Sequence, residues 1–166
     1  MDRRDFTRSI ASFFASAGGM FLFSSQLSAR EYLTVDQAQK ILFGGEVLTQ
    51  TRVKLTALQK KAIREASGIR VRRSYLAAWK ASGGGWFLLD QVIGKHEYID
   101  LAIALSSTGS IKGIEILNYR ESYGGDVRHK RWRAQFTGFT HNKTIRIDRE
   151  VMSITGATLS CRHIVE

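Results

Sequence analysis

Three consecutive strand-length segments near the middle of the chain constrain its fold most. Trp86–Ile93, Tyr98–Leu105 and Ile111–Tyr119 are rich in apolar and β-branched residues, and the second alternates with a period of two. Short runs of turn-forming residues separate them, at 94–96 and at 106–109. Because connections this short join antiparallel rather than parallel strands, the pattern predicts an antiparallel meander.

Helices are predicted on both sides of this meander. Two capping-box patterns, Thr-x-x-Gln starting at Thr34 and at Thr56, each indicate the start of a helix. Gly44 ends the first helix and Gly68 ends the second. We expect the second helix to bury one side, which is formed by Leu55, Leu58, Ala62 and Ala66.

The rest of the chain adds one strand and two short helices to this expectation. A weaker alternation over residues 69–78 predicts a strand before the meander. Residues 129–136 and 159–166 have the spacing of short helices. The fold class that follows is α+β, with an antiparallel twisted sheet flanked by helices in one domain over residues 30–166.

The first 29 residues resemble a targeting segment. Arg3 and Arg4 lie in a charged start, and residues 9–29 carry no charge and have modest hydrophobicity. The Arg-Arg-x-Phe order resembles a twin-arginine export signal. We therefore predict a signal peptide or N-terminal anchor over 1–29 and a periplasmic or otherwise extracytoplasmic domain, with membrane anchoring as one form.

The net charge of +10 admits several partners. A basic domain suits nucleic acid, an anionic membrane surface or an anionic protein or cofactor. Basic side chains concentrate in residues 54–73 and 128–133, and an ordinary solvated surface is the simplest interpretation of both. A polyanion-binding module remains an alternative function, although an exported domain is not expected to meet nucleic acid.

Several familiar kinds of chemistry lack their residues in this chain. Cys161 is the single cysteine, so neither an internal disulfide nor a cysteine-based metal site can form. The four histidines show no metal-ligand spacing, and no Gly-x-Ser-x-Gly sequence is present. The sequence therefore predicts no catalytic nucleophile and no metal.

The stretch 153–160 is small, polar and glycine-containing, and it leads into the last predicted helix. Thr155, Gly156, Ala157 and Thr158 form a tight turn at a helix N-terminus, where free amides and the helix dipole attract a phosphate. Gly156 allows close backbone approach to a ligand. Either threonine could instead be a simple N-cap.

This Thr-Gly-Ala-Thr sequence resembles the signature of the FMN-binding domain family. The family includes the flavin-carrying subunits of the Rnf and sodium-translocating NADH:quinone reductase complexes. A second segment, Trp132-x-x-x-Phe136-x-Gly138, is similar to another segment of the family pattern and occurs in the same order along the chain. The resemblance spans residues 95–166.

The resemblance implies FMN, attached by a flavin transferase through a phosphoester to Thr158. It implies that Thr155, Gly156 and Ala157 shape the loop and that Leu159 lies beside the phosphate. Met152 occupies a position at which members often carry aspartate, so non-covalent FMN is an alternative. As candidates to hold the flavin ring we identify Tyr119, Trp132, Trp86 and Glu121, with ordinary core packing as the alternative for the three aromatic residues and a solvated side chain as the alternative for Glu121.

The function expected from this resemblance is that of an exported flavoprotein. It would carry electrons between redox partner proteins of a membrane-associated chain rather than act on its own substrate. A flavin-binding regulatory domain without electron transfer is the alternative within the same family. Because the last predicted helix is short, we also expect the family domain to be truncated there.

Overall fold

The computed structural model describes residues 30–71 and 73–166, and the predicted targeting segment lies outside them. One antiparallel sheet of six strands forms the centre, in the order β1-β6-β5-β4-β3-β2. The strands are β1 (Arg30–Glu31), β2 (Leu48–Lys54), β3 (Tyr75–Ala81), β4 (Trp86–Ile93), β5 (Tyr98–Leu105) and β6 (Ile111–Tyr119). This confirms the α+β class and the meander, whose three strands have the predicted boundaries.

Four helices surround the sheet: α1 (Val35–Phe43), α2 (Ala57–Ser67), α3 (Lys130–Arg133) and α4 (Thr158–Val165). Both capping boxes form, because Thr34 and Thr56 each accept a hydrogen bond from the amide three residues later. Gly44 and Gly68 follow the two helices with positive φ, as predicted. No helix in the described ranges has both the length and the apolar character needed to span a membrane.

Both faces of the sheet are covered, which β5 illustrates. Ile99 and Leu101 belong to the core under α3 and α4, while Ala102 and Ala104 belong to the core under α1. The larger core lies on the first face. Its other buried members are Ile114, Ile116, Tyr119, Val127, Trp132, Phe136, Val151, Ala157, Cys161 and Ile164.

The predicted buried side of α2 is wrong. Leu58 is 80% exposed, Ala62 and Ala66 are exposed, Leu55 is only half-buried, and no residue of α2 is buried. The helix follows β2, an edge strand, and no other described element covers its apolar side. Its capping box and good helix formers, rather than burial, therefore stabilise it.

Two differences concern the strands beside α2. The strand predicted over residues 69–78 begins only at Tyr75, because Gly68 turns the chain out of α2 and Arg73 reaches sideways to donate to Gln91 Oε1 at 2.9 Å. Sequence reasoning did not identify β2. Its side chains are mostly polar and exposed on both faces, so no hydrophobic alternation marks it.

Helix α3 is fastened to β6 by a buried ion pair. The Arg133 guanidinium contacts the Glu115 carboxylate, and both side chains are largely buried. Arg133 also donates to the carbonyls of Ile114 and Arg128, each at 2.9 Å. These bonds, with the main-chain bonds between Ile111 and residues 138–139, occupy the part of the β6 edge that β1 leaves open.

We expect Arg133→Met to lower the free energy of unfolding by about 3 kcal/mol, because it leaves the Glu115 charge buried without its partner. The double variant Glu115→Gln/Arg133→Met should recover part of that loss, since it removes both charges. Urea denaturation of the two variants and the parent measures this. Equal destabilisation of the single and double variants would contradict the assignment to the ion pair.

Candidate functional site

The Thr-Gly-Ala-Thr turn delivers Thr158 to the first position of α4. Ala157 is the N-cap residue, and no side chain caps this helix end. The Ala157 amide donates to the Ile154 carbonyl at 2.9 Å, and Gly156 has a φ of 83°, which favours glycine. The N-cap interpretation of the two threonines is therefore wrong: both side chains are exposed, and neither makes a hydrogen bond to another described residue.

Two side chains hold the backbone just before the Thr-Gly-Ala-Thr turn. Trp132 lies in α3, and Gln135 lies in the short helical turn that follows α3. Trp132 Nε1 donates to the Met152 carbonyl at 2.8 Å, and the Met152 amide donates to Gln135 Oε1 at 2.9 Å. The next amide, of Ser153, donates to Asp148 Oδ1 at 3.0 Å. Three consecutive main-chain groups are thus fixed, so the turn enters α4 in one defined position.

Tyr119 joins the end of β6 to both α4 and the loop that follows β6. Its hydroxyl donates to the Tyr123 carbonyl at 2.5 Å, and its oxygen lies 3.2 Å from Ser160 Oγ. Burial raises the pKa of the Tyr119 phenol, although its hydrogen bond with Ser160 acts in the opposite direction. The phenol therefore keeps its proton near neutral pH and serves as a donor.

Gly124 lies directly against the motif. A Cβ placed on Gly124 would come within 2.2 Å of the Ala157 Cβ and 2.7 Å of the Tyr119 hydroxyl. Its φ is 84°, so the position requires glycine both for its conformation and for the close approach. Ala157 is small enough to meet this backbone, which explains why the motif has a small residue there.

Glu121 is engaged with the turn between β4 and β5. Its Oε1 accepts hydrogen bonds from the amides of His96 at 2.6 Å and Glu97 at 3.0 Å. Partial burial alone would raise the pKa of Glu121, but these amide bonds outweigh it and the pKa lies below its ordinary value. The carboxylate thus fixes a loop at the same end of the sheet, and its contact with a flavin stays a prediction.

The structure brings most of the sequence candidates together but changes the role of two. Tyr119 and Trp132 are 3% and 6% exposed, so their rings belong to the core. They position the site through hydrogen bonds and present no open face for stacking. Trp86 begins β4, whereas the site lies at its other end, near Ile93, roughly 20 Å along the strand.

Sequence reasoning named Leu159 but missed two other exposed apolar side chains near the turn. Tyr123, Met152 and Leu159 are 80%, 56% and 41% exposed. Tyr123 precedes Gly124, which lies against Ala157, Met152 precedes the turn, and Leu159 follows Thr158 in α4. An aromatic residue beside paired glycines, as in Tyr123-Gly124-Gly125, was the signal available in the sequence.

Residues 94–166 match the family model of the FMN-binding domain. Over these 73 of its 166 residues the chain is similar to the FMN-binding domain family. This part of the chain contains β5, β6, α3, α4 and every side chain of the site described above, and FMN is therefore its cofactor. No curated protein matches the chain.

The residues present fit a flavin phosphate. The first turn of α4 leaves its amides without a capping side chain, and a helix N-terminus favours an anion. Apart from Gly156 and its two chain neighbours, no described residue has a heavy atom within 4 Å of the position that a Cβ on Gly156 would take, so the turn is open to a ligand. Thr155 and Thr158 add hydroxyls at the same place.

Gly124→Ala and Gly156→Ala form a matched pair of variants, because both glycines have nearly the same positive φ. We expect Gly156→Ala to cost about 1 to 2 kcal/mol of unfolding free energy through backbone strain alone. Gly124→Ala should cost about 2 kcal/mol more, because its methyl group collides with Ala157. Urea denaturation checks this order, and equal effects would contradict the close packing of the loop on the motif.

Proposed function

We propose that Thr158 carries FMN through a phosphoester and that the domain passes electrons within a membrane-associated redox chain. The observation that carries the proposal concerns the Thr158 side chain, which is exposed and makes no hydrogen bond to another described residue, at a helix start that no side chain caps. Ester formation breaks the Thr158 Oγ1–H bond and the bond between the phosphorus and the leaving group of an activated flavin nucleotide, which a flavin transferase binds as its second substrate. Oγ1 takes the phosphorus, and the leaving group departs with the proton.

The surrounding residues have separate tasks in this proposal. The amides at the start of α4 hold the phosphate oxygens, and Gly156 lets the main chain approach them. Ala157 rests on Gly124 and so keeps Thr158 at the surface. Trp132 and Gln135 bind the carbonyl and the amide of Met152, which fixes the direction in which the turn enters α4.

Exposed apolar side chains suit a cofactor that must be held and still be reached by partner proteins. Bound FMN supplies the electron-accepting and electron-donating ring system. Tyr123, Met152 and Leu159 offer surface on which such a ring can rest. Because these residues lie at the surface, a ring held there is accessible to a donor or acceptor protein.

Met152 bears on whether the bond is covalent. The Met152 side chain is 56% exposed, while its main-chain groups are bound by Trp132 and Gln135. Asp148 provides a carboxylate nearby, through its bond to the Ser153 amide. Hydrogen bonding with Ser153 lowers the pKa of Asp148, so it remains charged near neutral pH. The loop therefore keeps a carboxylate although residue 152 is methionine.

Thr158→Ala should abolish covalent flavin, because the variant lacks the oxygen of the ester. The measurement is flavin fluorescence that stays with the chain on a denaturing gel after co-expression with a flavin transferase. Thr158→Ser should keep partial labelling, and Thr155→Ala is the matched control at the other threonine of the turn. Since Thr158 makes no capping bond, Thr158→Ala should change the unfolding free energy by less than about 1 kcal/mol.

Two outcomes would contradict the proposed ester. Flavin that remains bound covalently in Thr158→Ala would place the bond elsewhere. Flavin that leaves the parent protein on denaturation would show that FMN binds without a bond to the chain. The second outcome would keep FMN as the cofactor and remove only the ester.

We also propose that the domain is exported, on the basis of the first 29 residues. Arg3 and Arg4 precede an uncharged segment of modest hydrophobicity, which suits the twin-arginine route. Replacing both arginines with lysine should stop translocation, which cell fractionation measures. Unchanged export of that variant would contradict the twin-arginine route.

A further inference from the structure

Residues 48–71 and 73–74 form an exposed extension at one edge of the sheet. They comprise β2, α2 and the connection to β3, and no residue of β2 or α2 is fully buried. Leu58 is 80% exposed, and Ile63 and Ile69 are each 40% exposed. Because Leu58 is exposed, α2 has an apolar side that is available to a partner.

Most of the surplus positive charge lies in this extension. Between residues 48 and 74 there are eight basic residues and a single acid, Glu65. The family-matched residues 94–166 contain eleven basic and eight acidic residues, so they are nearly balanced. Glu65 pairs with Lys61 at 3.8 Å, and both side chains remain largely exposed. The extension therefore presents a nearly uniform positive charge.

Apolar and basic side chains are interleaved on the exposed helix. Leu58 and Ala62 lie one turn apart, and Lys61 and Arg64 lie beside them on the same exposed helix. An anionic lipid surface accepts both kinds of group, since basic side chains meet the headgroups while apolar ones enter the interface. Nucleic acid would attract the charges but would not need an exposed leucine.

We propose that α2 and the adjoining ends of β2 and β3 dock on an anionic lipid surface. The position of α2 in the sheet topology gives this docking a consequence for the flavin site. The end of β2 that leads into α2 lies at the same end of the sheet as Ile93 and Tyr119, which adjoin the flavin site. Two strand spacings, roughly 10 Å, separate β2 from β4.

A row of polar side chains crosses the sheet at this end. Arg73 donates to Gln91, Gln91 donates to Asp100 at 2.6 Å, and Arg120 donates to Asp100 at 2.8 Å. The basic extension is thus connected to the residue next to Glu121 by side chains in direct contact. A docked extension would turn the flavin-bearing end of the domain towards the membrane.

The test uses the full chain and vesicles of two compositions. Phosphatidylcholine vesicles and vesicles with equal parts of phosphatidylglycerol are compared by flotation, at low and at physiological salt. We expect binding to the anionic vesicles that weakens as salt rises. Residues 1–29, with Arg3, Arg4 and Arg8, are present in the parent and in every variant, so their contribution is common to all samples and cancels in the comparison of variants.

The triple variant Lys60→Gln/Lys61→Gln/Arg64→Gln should weaken binding to anionic vesicles on the order of a hundred-fold. The matched control, Lys40→Gln/Lys130→Gln/Arg131→Gln, removes the same charge from exposed residues outside the extension and should have little effect. Circular dichroism checks that both variants are folded. An equal loss in the two triple variants would overturn the assignment to α2, and absence of binding to anionic vesicles would overturn lipid docking altogether.

Leu58→Ser tests the apolar part of the surface. We expect about a ten-fold loss of vesicle binding, with Val47→Ser as the control at another exposed aliphatic side chain. Unchanged vesicle binding in Leu58→Ser would overturn the lipid proposal in favour of a general polyanion surface. Because lipid binding is measured without reference to flavin, failure here is distinguishable from failure of the ester at Thr158.

Discussion

The two side-chain hydrogen bonds to the main chain of Met152 are the interaction on which the site depends. Trp132 binds its carbonyl and Gln135 binds its amide, so the chain enters the turn from a fixed point. Trp132 lies in α3, which Arg133 fastens to β6, and Gln135 lies in the short helical turn that follows α3. The buried ion pair between α3 and the sheet thus supports the two hydrogen bonds that hold the chain before Thr158.

The second support of the site is steric rather than polar. Gly124 and Ala157 meet so closely that neither position accommodates a larger side chain without displacement. Tyr119 reinforces the contact, because its buried hydroxyl reaches the loop and lies near α4. The loop, the turn and the strand end are therefore joined by direct contacts.

Different segments of the chain have different roles in the structure. Residues 94–166 form the family-matched FMN-binding domain and contain all the side chains of the site. The preceding segments complete the sheet with β1 to β4 and cover its other face with α1. They also carry the basic, exposed extension, so the positive charge is concentrated away from the Thr-Gly-Ala-Thr turn while part of it remains at the same end of the sheet.

The sequence by itself determined the meander, both capping boxes and the turn at Gly156, because local periodicity, caps and positive-φ glycines depend on neighbouring residues alone. Tertiary structure decided the rest. It buried Tyr119 and Trp132 rather than exposing them to a ligand, and it left Leu58 in water. Burial depends on which distant elements pack against a residue. The amphipathic pattern of α2 shows that the helix has an apolar side, but it does not show whether another element of the described fold covers that side.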